Sequence, residues 1–168
     1  TVFEFQTGRA DTQYHLAKIL ESIGRLNDAE KWALSAFGNR ERLQRRFPEQ
    51  ERFLNDLLDS YRQMLFLGLR KVEQAPEGEE QDRFATGVVL WEGKLLDFLV
   101  PLRRANNLPN QWLAEIPKWS RDRAVLLGLL DRPKEALVEW ERAIEFAPPN
   151  KRKEFEKERQ KLADTLKP

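Results

Sequence analysis

The sequence predicts an all-α protein, in which antiparallel helical hairpins stack as an array of about seven helices. Three observations carry this. Apolar residues recur at three- and four-residue spacing along most of the chain. Two stretches, 10–37 and 120–150, place alanines at that spacing beside a short break. Strand-like alternation is confined to the first few residues, and no second candidate strand exists to pair with them.

The totals narrow the classes. A chain of 168 residues can bury a substantial core, and its net charge of +1 gives no global field toward nucleic acid or an anionic membrane. Charged residues make up 34% of the chain with the two signs nearly balanced, which suits helices with salt-bridged outer faces. Cysteine is absent, which excludes disulfides, thiolate chemistry and cysteine-ligated metals and leaves the compartment open between cytoplasm and periplasm. No apolar run approaches the length of a membrane span, and no signal peptide is legible. The start at Thr1, without Met, leads us to expect a piece of a longer protein.

The chain, 1–168, reads as one helical domain. Residues 1–8 are expected as an extended arm laid on helices. Ala10 to Ile23 forms a helix with Tyr14, Leu16, Ala17, Ile19, Leu20 and Ile23 as its apolar set, closed by Gly24. Asn27 or Asp28 opens the next helix, whose inner stripe is Ala29, Trp32, Ala33, Ala36 and Phe37. Gly38-Asn39 is a candidate interruption before a basic stretch that runs to Pro48. Residues 49–105 read as a long-helix hairpin. Its first arm carries Phe53, Leu54, Leu57, Leu58, Tyr61, Met64, Leu65 and Leu69, and its second Phe84, Val88, Trp91, Leu95, Phe98, Leu99 and Leu102. Pro101 is expected to kink or end the second arm.

After a loop at 105–110, residues 111–130 are helical with a break near Pro117. Leu126, Leu127, Leu129 and Leu130 close that helix. Asp131 is expected to cap the following one, with Pro133 in its first turn. Ala136, Leu137, Trp140, Ala143, Ile144 and Ala147 form its inner stripe, and Glu139 falls on the opposite side. Pro148-Pro149 stops it. Asn150 is expected to cap a terminal helix, 151–168, charged almost all round, with Phe155, Leu162 and Leu166 as its thin apolar edge.

The two alanine hairpins resemble the tetratricopeptide repeat, a helix–turn–helix unit of about 34 residues with the pattern W-x2-L-G-x2-Y…A-x3-F…P. Leu16, Ala17 and Leu20 fall at the L, G and Y positions, Gly24 at the turn, and Ala29, Ala33 and Ala36 on the second helix. In the later stretch Ala124 and Leu127 match the first helix, and Ala136, Trp140, Ala143 and Pro148 match the second. The leading Trp is replaced by Gln13 and by Ser120, and the second turn has Asp131 in place of glycine. The two hairpins are 107 residues apart, more than three periods, and the helices between them are too long for ordinary repeats. The resemblance covers about 60 residues, and the middle section diverges.

This resemblance implies a concave groove that takes a peptide or a partner protein, lined by the first helix of each repeat. Asp11, Tyr14 and Lys18 of the early hairpin and Lys118, Arg121 and Val125 of the later one would face it. Lys18 stands where the family's carboxylate clamp has Asn, so an acidic chaperone tail is not implied. Trp112 and Trp119, flanking Pro117, admit two readings, as partner anchors lining a groove or as packing against the adjoining repeat.

Chemistry is sparsely represented. His15 is the sole histidine, with Asp11 one turn before it, too little for a metal site or an oriented general base. Glu73, Glu77, Glu79 and Glu80 read as a solvated turn. No helical E-x-x-H pair, GxGxxG or P-loop is present. Arg40, Arg42, Arg45 and Arg46, and separately Lys151, Arg152 and Lys153, are candidate phosphate contacts, but each group has acidic neighbours and a salt-bridged helix face is the favoured reading. The expectation is a non-catalytic interaction scaffold or adaptor without cofactor or metal, binding protein or peptide and not nucleic acid. The rival readings are a spacer in a larger secretion or envelope assembly, and a helical bundle with an internal ligand or catalytic pocket.

Overall fold

A computed structural model describes residues 2–166. These residues form seven α-helices: α1 Val2–Ser22, α2 Leu26–Arg46, α3 Glu51–Gln74, α4 Glu79–Arg104, α5 Glu115–Leu129, α6 Pro133–Phe146 and α7 Pro149–Thr165. A single 3-10 turn, Asn110–Trp112, precedes α5. The expected all-α class and helix number are both observed. No helix among the described residues is long and apolar enough to cross a membrane.

The chain divides into two compact units, 1–84 and 85–168. The boundary falls within α4, inside the segment read as a long-helix hairpin. In the first unit α1 packs on α2 and α2 on α3; in the second α5 packs on α6 and α6 on α7.

Both hairpins are seamed by small residues. Ala17, Ala29, Ala33 and Ala36 are buried in the first, and Ala124, Ala136 and Ala143 in the second. Side chains this short let helix backbones approach closely. Larger groups then close the flanks. In the first unit Phe37 meets Tyr61 edge-on at 4.8 Å. In the second, Trp140 packs on Phe155 of α7 at 5.8 Å, which draws the charged terminal helix onto the hairpin.

The same turn joins both hairpins. Gly24 lies at φ +79° and Asp131 at φ +55°, in the left-handed region. At the first turn Gly24 N–H donates to Glu21 C=O and Arg25 N–H to Leu20 C=O; at the second Asp131 N–H donates to Gly128 C=O and Arg132 N–H to Leu127 C=O. These paired bonds make the Schellman closure of a helix C-terminus. Asn106, φ +57°, ends α4 in the same way. Asp131 therefore closes α5 and does not cap α6, whose N-cap is Arg132. Arg25 likewise precedes α2, leaving Asn27 and Asp28 inside its first turn. Each N-cap arginine pairs three residues ahead, Arg25 with Asp28 at 2.6 Å and Arg132 with Glu135 at 2.7 Å. Pro148, not Asn150, is the N-cap of α7.

Other boundaries also differ from expectation. Residues 2–8 belong to α1 and are not an extended arm; Thr1 lies outside the described residues. Thr7 and Ala10 are buried on the stripe that continues through Gln13, Ala17 and Leu20. With no strand to pair, a helix is what satisfies that segment's backbone groups. Gly38-Asn39 does not interrupt α2, and α4 runs past Pro101 to Arg104. Pro117 occupies the first turn of α5, where no intrahelical N–H bond is lost, so it causes no break. Trp32, placed by its spacing on the core stripe, is 40% exposed, and Leu129 is 78% exposed.

Two outcomes follow. Ala136→Leu should overpack the second seam and lower stability by about 1–3 kcal/mol, read by urea unfolding. Asp131→Gly should raise stability by up to about 1 kcal/mol, because glycine enters the left-handed conformation without the Cβ penalty. A loss in the same assay would refute the Schellman role.

Candidate functional site

The sequence-predicted site residues fall in both units. In the first, Asp11 is held by Arg40 at 3.0 Å and by Arg52 at 3.4 Å. Tyr14 is half-buried, with the Arg40 guanidinium 4.1 Å from its ring centre and His15 edge-on at 5.6 Å. Burial, then the charge of Asp59, raises the Tyr14 phenol above its ordinary value. Both residues are thus occupied in packing, and of these three predicted groove residues Lys18 remains the exposed one.

Arg40 does not lie on the salt-bridged surface its neighbours suggested. It is buried, donates to the Asp56 carbonyl at 3.0 Å and the Ser60 hydroxyl at 3.1 Å, and joins α1, α2 and α3 through Asp11. A periodicity argument cannot find such a residue, because a long cation reads as surface until its partners are known. Burial, the largest effect, raises the carboxyl of neighbouring Asp56, while Arg40 opposes the shift.

In the second unit the tryptophans are not surface anchors. Trp112 is 3% and Trp119 2% exposed, and Trp119 donates its indole N–H to Glu115 at 2.7 Å. With Pro117 accommodated in the first turn, α5 turns Ile116, Trp119 and Ser120 inward together. Lys118 stays outside, its ammonium 4.5 Å from the centre of the Trp119 ring. Arg121 is half-buried and bonds Asp122 at 2.5 Å.

Lys118 and Arg121 line one cleft of about 500 Å³. Its apolar surface comes from Leu113, Pro117, Phe146 and Phe155, and Arg103 and Lys151 complete its basic side. No carboxylate is among the lining residues. Lys151 is paired with Glu154 at 2.9 Å, whereas Arg103 and Lys118 have no carboxylate partner among the described residues. Four cations around an apolar floor suit a ligand that carries both an apolar group and negative charge. Sequence reading found two of the four. Arg103 lies at the end of the second arm of the long-helix hairpin, and Lys151 belongs to a helix read as a cap.

A second polar cluster lies inside this unit. Glu92 is fully buried, and neither carboxyl oxygen has a hydrogen-bond partner. The Ser120 hydroxyl is also buried and unpartnered. Glu139, expected on the outer side of α6, is instead 3% exposed and bonded to Arg123, and also to Arg142 at 3.0 Å. Arg123 reaches α4, donating to the Val89 carbonyl at 3.1 Å. A Cβ on Gly93 would stand 3.2 Å from its guanidinium, so glycine is what lets Arg123 lie this close. Burial weighs against ionised Glu139 and raises its carboxyl, while the two arginines oppose the shift. Burial, reinforced by the charge of Asp122, pushes Glu92 up to about 8. Glu92 is not among the residues lining the cleft of Lys118 and Arg121, and no group of three or more His, Asp or Glu side chains among the described residues is placed to hold a metal.

No protein-family model matches the chain, and the comparison with curated proteins gives no match.

Glu92 links folding to pH. Its folded value of about 8 lies above the ordinary 4.5, so between those values the folded chain keeps a proton that the unfolded chain has released. Stability should therefore fall as pH rises through that window and level off above it. Glu92→Gln should remove this slope, with its advantage over wild type growing to a few kcal/mol, in order of magnitude, by pH 8. Urea unfolding of both proteins at pH 5, 6.5 and 8 measures it, and a constant gap would refute it.

Proposed function

We propose that the chain is a non-catalytic interaction module whose second unit binds an acidic protein segment bearing an apolar side chain. The observation that carries this reading is the cleft holding Lys118 and Arg121 beside Arg103 and Lys151, with Phe146 and Phe155 in its apolar part and no carboxylate in its lining. An apolar anchor supplies affinity when it is desolvated there, and acidic neighbours supply orientation and encounter rate. A net charge of only +1 favours a protein partner over nucleic acid.

The resemblance of the two hairpins to the tetratricopeptide repeat is in keeping with this reading. The two hairpins bury equivalent positions at a constant separation of 107 residues: Gln13 and Ser120, Ala17 and Ala124, Leu20 and Leu127, Ala29 and Ala136, Ala36 and Ala143. In that family the first helix of each hairpin presents the binding face, and Lys118 and Arg121 belong to such a helix. By the same separation Lys118 and Arg121 correspond to Asp11 and Tyr14, which are occupied in packing; Lys18, equivalent to Val125, is the exposed candidate on the early hairpin.

The test uses fluorescent peptides rich in Asp and Glu around one Phe, titrated beside a peptide in which Ala replaces the Phe and beside a Lys-rich peptide. The acidic Phe peptide should bind best and weaken as salt is raised. Lys118→Glu with Arg121→Glu should reduce its affinity by about tenfold or more with little change in melting temperature, since both side chains reach solvent. Equal binding of all three peptides, or unchanged affinity in the folded double variant, would overturn the assignment. Lys18→Glu, measured in parallel, reports whether the early hairpin contributes.

A further inference from the structure

A separate cleft of about 500 Å³ lies in the first unit, between the start of α1 and the end of α2. Arg9 of α1 and Arg42 and Arg46 of α2 line it, together with Phe5 and Leu43. Three arginines thus share one concave surface, and again no carboxylate is among its lining residues. Two acidic residues close in sequence to the arginines are committed elsewhere, Asp11 to Arg40 and Arg52 and Glu41 to Arg45, and Glu4, next to Phe5, is not among the lining residues. Arg9 has no ion pair among the described residues.

Arg42 is tethered in advance. Its Nε donates to the Gly38 carbonyl at 3.0 Å and one terminal nitrogen to the Asn39 side-chain oxygen at 3.0 Å. Neither acceptor is a full charge, so the guanidinium is positioned without being neutralised, and other N–H groups remain available. Arg46 lies 5.5 Å from the Phe47 ring centre, a contact that likewise leaves its charge unbalanced. Leu43 is buried and Phe5 is 71% exposed, giving the cleft an apolar component beside its cations.

We infer that this cleft binds a phosphomonoester carried on a hydrophobic group. A phosphomonoester is close to a dianion at neutral pH and presents three terminal oxygens, which several guanidiniums can bond together; a single carboxylate uses fewer of them. The ester group packs on Phe5 and Leu43. The site lies in the other unit from the peptide cleft and stands independently of it.

The test titrates the full chain with phenyl phosphate at constant ionic strength, followed by backbone and arginine side-chain nitrogen-15 NMR. Inorganic phosphate and benzoate are the comparison ligands. Saturable shifts are expected around residues 5–9 and 38–46, with phenyl phosphate binding more tightly than either comparison ligand. Arg42→Gln with Arg46→Gln should weaken it by about tenfold or more. Lys31→Gln, at an exposed residue outside the lining, should leave it unchanged. If the double variant does not fold, Arg9→Gln serves in its place, with weakened binding again expected. A tyrosine-phosphorylated peptide identifies the source: about tenfold tighter binding than phenyl phosphate points to a modified protein, and equal binding to a small phosphomonoester, either result sustaining the site. Absence of saturable shifts, equal shifts from chloride, or undiminished binding in the arginine variant would overturn the inference.

Discussion

Close helix approach at alanine seams is the constraint on which the rest of the structure depends. Ala17, Ala29, Ala33 and Ala36 let α1 and α2 meet, and Ala124, Ala136 and Ala143 do so for α5 and α6. A seam of this kind contributes little apolar area per residue, so its stabilisation must be completed from outside. In the first unit α3 supplies Phe53, Leu57, Leu58, Met64 and Leu65; in the second, Val89 of α4 and Phe155 of α7 pack against the hairpin. The short side chains decide where the helices lie, and the larger groups around them contribute most of the buried area.

The same closeness gives the buried polar residues their roles. The two hairpins are equivalent in their seams but diverge around them. Arg40 occupies the position equivalent to Ala147, and Trp140 the one equivalent to Ala33. The first unit fills the space with a guanidinium bonded to Asp11, Ser60 and a carbonyl. The second combines an aromatic ring with Arg123, Glu139 and the unpartnered Glu92. Removing one partner from such a group leaves a buried charge uncompensated, so these residues specify the packing more strictly than apolar ones of similar volume. Glu92 avoids much of that penalty by holding a proton.

The two clefts arise from the positions of helix ends. One gathers side chains from the start of α1 and the end of α2; the other takes Arg103 near the end of α4, residues leading into α5, and the junction of α6 with α7. Helix ends leave gaps that the seam cannot fill, and the charged residues that solubilise the helix faces become the walls. Both clefts pair arginine or lysine with phenylalanine, yet their surroundings suit different anions. The first has three arginines near a small apolar surface; the second mixes lysine and arginine around a longer one.

The sequence by itself determined the helical class, the helix number and the inward alanines of both hairpins. These follow from three- and four-residue periodicity and from Gly24 and Pro133, signals that a local stretch carries without its neighbours. It also singled out Lys118 and Arg121, which share a cleft. Only the tertiary structure decided that Arg40, Glu92 and Glu139 lie inside, that Trp32 is exposed while Trp112 and Trp119 are buried, and that Asp131 closes a helix instead of opening one. The physical reason is common to the side chains in that set. A long charged residue or a tryptophan can be satisfied either in solvent or against partners, and those partners come from elements that a local pattern does not reach. Asp131 is the backbone counterpart: its conformation is set by the carbonyls of the preceding turn, not by the capping preference of its side chain.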